Sequence, residues 1–237
     1  MALRLEELAK TIDHTLLDAG ATEAGVDRLC EEALQYHFAC VCVRPEHVRR
    51  AAECLRGHDV KVSAAVGLPV GDGPPKDKVE LARRCVDEGA DELDLFLNSG
   101  ALVEGDFLLV RDELVAVERA LRVRSVNIGR GAVLLKVVLD SSRISDKAKR
   151  LTCKIMETSG ADFASVVTGS NGDSGGFHEI ELIREYLSER VGVKASSGIA
   201  TATDAFALVN AGAGRIGTPA AVSVMSGKGA GSPKHLT

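Results

Sequence analysis

Residues 161–170, Ala-Asp-Phe-Ala-Ser-Val-Val-Thr-Gly-Ser, contain the pattern that decides the fold class. Most of this stretch is a continuous apolar run, which predicts a strand buried on both faces. Gly160 precedes it at the place where a C-cap glycine ends a helix, and the Thr-Gly pair after it is typical of a tight turn. A helix, a buried strand and a turn in this order are the repeating unit of a parallel sheet covered by helices.

The same unit recurs along the chain. Strands are predicted at 10–14, 39–43, 60–66, 92–98, 132–139, 162–167, 191–196 and 215–218. Helices are predicted at about 3–10, 22–36, 76–88, 107–123, 145–158, 178–189 and 202–211, with a further helix opening at Pro45. Eight strands joined by helical crossovers predict an α/β protein with a (β/α)8 TIM barrel fold. A doubly wound open sheet is the alternative, but no G-x-G-x-x-G motif follows the first strand.

Composition narrows the possible functions. We expect one barrel domain over 1–225 and a flexible C-terminal tail over 226–237. A net charge of −5, no Trp and two Tyr provide neither a basic stripe nor stacking groups for nucleic acid. The acidic N-terminal segment is unlike a signal peptide, and no run approaches the roughly 20 apolar residues of a membrane span. We therefore expect a cytoplasmic protein with no nucleic-acid or membrane partner. Six cysteines without a C-x-x-C motif predict reduced thiols, no metal site and no redox cofactor.

Ionisable residues inside apolar strands are the candidates for catalysis. They are Asp13, Asp94, Lys136 and Lys194. Charges are almost never fully buried unless paired, so the four are expected to neutralise one another, in a purely structural network or in an active site. A desolvated lysine beside another cation has the lowered pKa that amine chemistry needs. Asp94 is a candidate for proton transfer, whereas Asp13 is equally suited to orienting a neighbour.

Glycines and hydroxyl residues at the ends of the late strands are the candidates for substrate binding. They are Thr168, Gly169, Ser197, Gly198, Gly217 and Thr218, together with Ser165 inside the sixth strand. Loops after the seventh and eighth strands of a barrel commonly bind phosphate through backbone N–H groups. Tight turns alone would also explain these glycines. The loop at 67–75, rich in Gly and Pro, is predicted to be rigid and close to a ligand.

Several ordered motifs resemble the deoxyribose-phosphate aldolase family over roughly residues 5–225. They include Ile12-Asp-His-Thr-Leu-Leu, Val66-Gly-Leu-Pro-Val-Gly, Gly89-Ala-Asp-Glu-Leu-Asp-Leu, Leu135-Lys-Val-Val-Leu and Val193-Lys-Ala-Ser-Ser-Gly-Ile. The resemblance implies class I aldol cleavage, in which a lysine on the sixth strand forms a Schiff base. It also assigns helper roles to Lys194 and Asp94, and matches Lys136 and Asp13 to family positions on the fifth and first strands.

The resemblance breaks at the Schiff-base position. The family has Lys-Thr-Ser-Thr-Gly there, whereas this chain has Ser165-Val-Val-Thr-Gly, and serine cannot form an iminium ion. Val166 and Val167 replace two hydroxyl residues and are expected to make the pocket floor drier. The family's paired serines near the phosphate fall on Pro219 and Ala220, so a phosphate is less well provided for.

Three functions remain open from the sequence. The first is an aldolase-like lyase in which Lys136 or Lys194 supplies the amine for a small carbonyl substrate. The second is an acid/base enzyme that enolises, dehydrates or cyclises an unphosphorylated carbonyl compound without a covalent intermediate. The third is a non-catalytic paralogue that acts as a partner subunit. The resemblance also implies a possible homodimer.

Overall fold

A closed barrel of parallel strands forms the centre of the protein. The computed structural model describes residues 4–141, 144–167, 174–196 and 198–227. The strands in these ranges are β1 (Ile12–Leu16), β2 (Cys40–Val43), β3 (Lys61–Val66), β4 (Glu92–Phe96), β5 (Leu134–Leu139), β6 (Phe163–Val167), β7 (Gly192–Ser196) and β8 (Arg215–Thr218). Each strand pairs in parallel with the next, and β8 pairs with β1 to close the sheet. The predicted TIM barrel is thus confirmed.

Helices surround this barrel. They are α1 (Leu5–Ala9), α2 (Glu23–Tyr36), α3 (Val48–Cys54) after a 3-10 turn at Pro45–His47, α4 (Pro75–Glu88), α5 (Ser99–Glu104), α6 (Phe107–Asn127), α7 (Asp146–Thr158), α8 (Ser174–Tyr186), α9 (Ala202–Asn210) and α10 (Ala221–Ser226). No helix in the described parts of the chain has both the length and the apolar character needed to cross a membrane. Apart from Ser226 and Gly227, the predicted tail lies outside the described residues.

The helix predictions differ from the structure at four places, one of which is α6, whose end at Asn127 lies four residues beyond the predicted 123. The sequence analysis missed α5 and α10, which are six residues long and too short to show a helical period. The start of α5 is set by a local cap, because the Asn98 side chain accepts a hydrogen bond from the backbone N–H of Ala101 at 2.9 Å. Helix α8 begins at Ser174, four residues before the predicted start at 178.

Alternation along the strands separates a packed outer layer from the barrel interior. Leu135, Val137 and Leu139 of β5 belong to the apolar core beneath the helices. Lys136, between them, contacts Asp13 on β1, across the barrel. Because side chains alternate between the two faces of a strand, every second residue of each strand points into the interior.

The loop after β3 presses against the end of β4. Gly71 has φ 68°, and a Cβ atom there would lie 2.1 Å from the carbonyl oxygen of Leu97. Only glycine allows this approach, since it combines a left-handed backbone with backbone contact. Leu68, at the start of the same loop, lines the cavity described below.

Candidate active site

A cluster of charged side chains fills the middle of the barrel interior. Lys136 is fully buried, and its Nζ lies 2.7 Å from Asp13 Oδ2, 2.8 Å from Glu92 Oε2 and 3.3 Å from Asp94 Oδ1. Its three partners come from β1 and β4. One ammonium therefore holds three carboxylates together at the centre of the barrel.

Two more cations complete the cluster. Lys194 Nζ lies 2.7 Å from Asp13 Oδ2 and 2.8 Å from Asp94 Oδ2. Arg215 Nη1 and Nη2 lie 2.5 Å from Asp13 Oδ1 and 2.7 Å from Glu92 Oε1, respectively. Three carboxylates thus face three cations, and the cluster is neutral when all six groups are ionised. We call these six residues the charge network.

The mutual neutralisation that the sequence predicted for Asp13, Asp94, Lys136 and Lys194 is confirmed, but two members were missed. Glu92 lies two residues before Asp94 on β4, so strand alternation alone places it on the same interior face. Arg215 opens β8 and was not among the candidate residues. Applying the two-residue period to the charged residues at strand starts would have found both.

The network fixes the protonation of its lysines. Burial disfavours the charged form of Lys136, but the attraction of Asp13 and Asp94 outweighs it and holds the lysine's pKa well above its usual value. Burial and the same two carboxylates act in the same opposed way on Lys194, whose pKa is also raised. The expectation of a lowered lysine pKa is therefore wrong for the resting protein. The carboxylates of Asp13 and Asp94 reverse the sign, because they lie closer to the lysines than the sequence alone could show.

Asp13 and Asp94 stay ionised for the matching reason. Burial opposes the charged form of Asp13, but Lys136, Lys194 and Arg215 outweigh it and hold the pKa well below its usual value. For Asp94, burial is again opposed by the two lysines, and the pKa is lowered. Near neutral pH the carboxylates therefore accept hydrogen bonds and the lysines carry protons.

A cavity of about 260 Å3 opens above the network at the carboxyl ends of the strands. The polar residues among its described lining are Thr15, Cys42, Asp94, Ser165, Lys194 and Ser196. Lys136 and Asp13 do not line it, and both are fully buried. Within the network, Lys194 and Asp94 can therefore touch a ligand, while Lys136 and Asp13 act on them from below.

Ser165 lies on the cavity wall beside Lys194. The two residues are register partners on β6 and β7. The Ser165 hydroxyl forms a 2.9 Å hydrogen bond with the hydroxyl of Ser196, in which either oxygen can donate. Ser196 was missed by the sequence analysis, although it lies two residues after Lys194 and so shares its face.

Cys42 faces the same cavity. Its Sγ donates a hydrogen bond to Asp94 Oδ2 at 3.1 Å. Burial, reinforced by the Asp94 charge, raises the pKa of this thiol well above its usual value. Cys42 is therefore a neutral thiol that helps to orient Asp94.

The other predicted binding residues divide into three groups. Gly217 lines the cavity. Thr218 and Gly198 are not among the lining residues; the Thr218 hydroxyl donates to the carbonyl of Ile199 at 2.6 Å, and Gly198 is exposed with φ 71°. Thr168, Gly169 and Ser197 lie outside the described residues.

Of the two valines expected at the pocket floor, one lines the cavity, in the layer above Ser165. Val167 lines the cavity, but Val166 is fully buried in the core under the helices. Strand alternation makes this necessary, since Ser165 and Val167 already face inward.

One group of side chains has a spacing suited to a metal ion. Potential ligand atoms of Asp13, Cys40 and Glu92 lie within 4.8 Å of one another. Lys136 Nζ already contacts the two carboxylates and lies 3.8 Å from Cys40 Sγ. A metal ion at this place would have to displace a buried ammonium, so the donor set fits the protein's own cation better.

Together, the closed barrel and the cavity above a lysine–carboxylate network define a (β/α)8-barrel enzyme that acts on a small molecule at the carboxyl ends of its strands. No family model matches the chain. Curated relatives do match it over nearly their whole length. Deoxyribose-phosphate aldolase from Caldicellulosiruptor saccharolyticus is 40% identical over 223 residues, covering 93% of this chain and 98% of the relative. The Geobacillus enzyme of the same name is 39% identical over 225 residues, covering 95% and 97%.

Solved structures agree with these relatives. The tetrameric deoxyribose-phosphate aldolase from Aeropyrum pernix is 30% identical with a TM-score of 0.81, covering 94% of this chain and 91% of that chain. The chain belongs to the deoxyribose-phosphate aldolase family, and it is an enzyme of the lyase class.

Proposed function

We propose that this enzyme makes or breaks a carbon–carbon bond beside the carbonyl group of a small aldehyde or ketone, with Lys194 as the reacting amine. One observation carries the proposal. Among the described residues that line the cavity, Lys194 is the lysine, and its Nζ lies 2.8 Å from Asp94, a carboxylate that lines the same cavity. An amine and a proton acceptor are thus held together where a ligand can reach both.

The register of β6 and β7 supports Lys194 as the replacement for the Schiff-base lysine expected at position 165. By family resemblance the Schiff-base lysine would occupy position 165, and Lys194 is the register partner of Ser165 on the neighbouring strand. Neighbouring strands lie about 4.8 Å apart, a separation within reach of a lysine side chain. Lys194 can therefore present its nitrogen to a substrate seated beside Ser165.

In this mechanism Asp94 carries one proton back and forth. It first takes a proton from the Lys194 ammonium, and the neutral amine adds to the substrate carbonyl. A second proton of the amine passes to the former carbonyl oxygen, which becomes a hydroxyl. Protonated Asp94 then gives its proton to the leaving hydroxyl, so that water departs and an iminium ion forms. The iminium keeps one positive charge at Lys194, which Asp13 and Asp94 stabilise as they stabilise the ammonium.

Asp94 also carries the proton during cleavage of the carbon–carbon bond. Asp94 removes the proton of the substrate hydroxyl while the adjacent carbon–carbon bond breaks, and the bonding electrons enter the iminium to give a neutral enamine. An aldehyde leaves, Asp94 protonates the enamine carbon, and water hydrolyses the resulting iminium. The second carbonyl product and the Lys194 ammonium are regenerated.

A second candidate is favoured by the raised pKa of Lys194. A lysine that keeps its proton can donate a hydrogen bond to the oxygen of a developing enolate while Asp94 removes a proton from carbon. This arrangement suits enolisation, dehydration or cyclisation without a covalent intermediate.

Reductive trapping distinguishes the two. The protein is incubated with acetaldehyde, glyceraldehyde or a small ketone and sodium borohydride, and the adduct is located by intact-mass spectrometry and peptide mapping. A stable adduct on Lys194, abolished in Lys194→Ala and retained in Lys154→Arg, supports the aldolase mechanism. Lys154 is an exposed lysine on α7 and reports non-specific reduction.

The other outcomes each select a different function. Turnover of a carbonyl substrate without trapping supports the acid/base candidate and refutes the covalent one. If the protein neither binds nor converts any of these compounds, both candidate functions are refuted, and the partner-subunit hypothesis is the one that remains.

We further propose that the enzyme works in the cytoplasm as a homodimer, in keeping with the family resemblance and its six free cysteines. The Aeropyrum pernix relative is tetrameric. Size-exclusion chromatography with light scattering decides between one, two and four copies of this chain.

A further inference from the structure

An apolar collar surrounds the upper part of the cavity. It consists of Leu17, Leu68, Phe96, Val138, Val167 and Pro219. These residues come from the carboxyl ends of β1, β3, β4, β5, β6 and β8, so the collar surrounds the cavity on most sides. A ligand that reaches Lys194 must place the rest of its body against these side chains.

The collar lies one layer above the polar floor. Phe96 follows Asp94 by two residues on β4, and Val167 follows Ser165 by two residues on β6. The same two-residue step relates Val138 to Lys136 on β5. Because residues two apart on a strand share a face, the reacting groups lie at the bottom and the apolar surface lies above them.

The floor has no net charge with which to hold an anion. Lys194, the cation among the described lining residues, is already shared by Asp13 and Asp94, and the charge network as a whole is neutral. A phosphate that entered the cavity would bring negative charge beside Asp94. Burying such a charge without a partner is strongly unfavourable.

The end of β8 is also poorly equipped to bind phosphate. Barrels often bind phosphate with backbone N–H groups of the loops after the last strands. Here Pro219 has no N–H group, and the N–H of Ala220 donates to Thr218 Oγ1 at 3.0 Å. That hydroxyl donates in turn to the carbonyl of Ile199, so neither position 219 nor position 220 offers an uncommitted N–H group.

We infer that the substrate is a carbonyl compound whose body is apolar and unphosphorylated: a short alkyl aldehyde or ketone, or an aldol formed from them. This inference rests on the proposed function, since it names the substrate class for the same site. The 260 Å3 cavity sets the size. At about 30 Å3 for each water-sized group, it holds on the order of eight non-hydrogen atoms.

Binding measurements with matched ketones test the inference without requiring turnover. 3-Pentanone and dihydroxyacetone have the same number of non-hydrogen atoms and differ only in two methyl groups replaced by hydroxyls. Dissociation constants are measured by ligand-observed NMR for acetone, 2-butanone, 3-pentanone, dihydroxyacetone and dihydroxyacetone phosphate. We expect affinity to rise about fourfold for each added methylene, and 3-pentanone to bind at least tenfold more tightly than dihydroxyacetone or its phosphate.

A matched pair of variants locates the effect. Val167→Thr changes one collar methyl to a hydroxyl with almost no change in shape, and is expected to weaken 3-pentanone severalfold while dihydroxyacetone is unchanged or improved. Val115→Thr makes the same change at a valine that is 43% exposed on α6, and should leave every dissociation constant unchanged.

The results separate failure of this inference from failure of the proposed function. Tighter binding of dihydroxyacetone phosphate than of 3-pentanone would overturn the inference even if borohydride traps Lys194. An alkyl preference that Val167→Thr reduces would uphold the apolar site even if no adduct forms, in which case the amine chemistry alone is refuted. Equal affinity for all five ketones would overturn the inference.

Discussion

Replacing Glu92 by Gln should unbalance the charge network by one unit. Glu92 is buried and contacts Lys136 Nζ at 2.8 Å and Arg215 Nη2 at 2.7 Å. The amide keeps the shape of the side chain but leaves the buried Lys136 and the partly buried Arg215 facing one carboxylate fewer. Removing one partner of a buried ion pair typically costs 3–5 kcal/mol, so we expect Glu92→Gln to lower the free energy of unfolding by roughly 4 kcal/mol.

A second substitution should recover part of this loss. Arg215→Met alone leaves a carboxylate excess and is expected to cost a similar amount, whereas Glu92→Gln combined with Arg215→Met is again neutral. We expect the double variant to be more stable than the sum of the single losses predicts, by roughly 2 kcal/mol of coupling energy. Urea unfolding followed by circular dichroism measures all four proteins.

Two results would refute the electrostatic reasoning. Loss of less than about 1 kcal/mol in Glu92→Gln would mean that its charge contributes nothing measurable, as is typical of exposed pairs. Strictly additive losses in the double variant would mean that the two side chains stabilise the barrel by packing rather than by neutralising each other.

Three further perturbations test other parts of the structure. The pKa values of Asp13 and Asp94 are lowered in the folded protein, so their contribution to stability is present above the unfolded pKa of about 3.9 and is lost as pH falls through the folded values. The melting temperature should therefore not depend on these two groups from pH 5 to 8 and should fall only in stronger acid. A drop in melting temperature centred at pH 6 would contradict this. Gly71→Ala should lower the free energy of unfolding by about 3 kcal/mol in the same urea assay, because its Cβ would meet a backbone carbonyl. Gly57→Ala is the control, since Gly57 has φ 85° but no atom within 4 Å of its Cβ, and it should lower the same free energy by about 1 kcal/mol. Ser165→Lys should lower the free energy of unfolding by roughly 2–3 kcal/mol, since it adds a buried cation with no matching carboxylate. Peptide mapping should then find a borohydride-trapped adduct at position 165. A variant that is as stable as the parent and forms no adduct there would refute the placement of residue 165 in the cavity wall.

The strands were predictable because a parallel barrel buries both faces of each strand, and continuous apolar runs record that directly. All eight were found, with β8 correct at both ends. The short helix α5 was not predictable in this way, since one Asn98 cap and its packing define it rather than an apolar period.

The candidate site was predictable in its composition but not in its electrostatics. Lysines and aspartates inside apolar strands identified the centre of the network. The sign of the lysine pKa shift depends on distances between residues far apart in the chain, such as Lys136 and Asp13, which are separated by 123 positions. No local pattern carries those distances. Thr218 shows a related limit, because a hydroxyl at a strand end serves a ligand or its own backbone according to the loop around it.

The reach of Asp13 has a consequence for how the chain is made. Its carboxylate binds Arg215, 202 residues further along, as well as Lys136 and Lys194. During synthesis the aspartate therefore leaves the ribosome long before its last partner, and the barrel cannot bury it in a neutral environment until the final strand arrives. Contacts this distant in sequence make folding slow. The same interaction joins the first strand of the sheet to the last, so the charge balance at the centre of the barrel is completed only when the sheet closes.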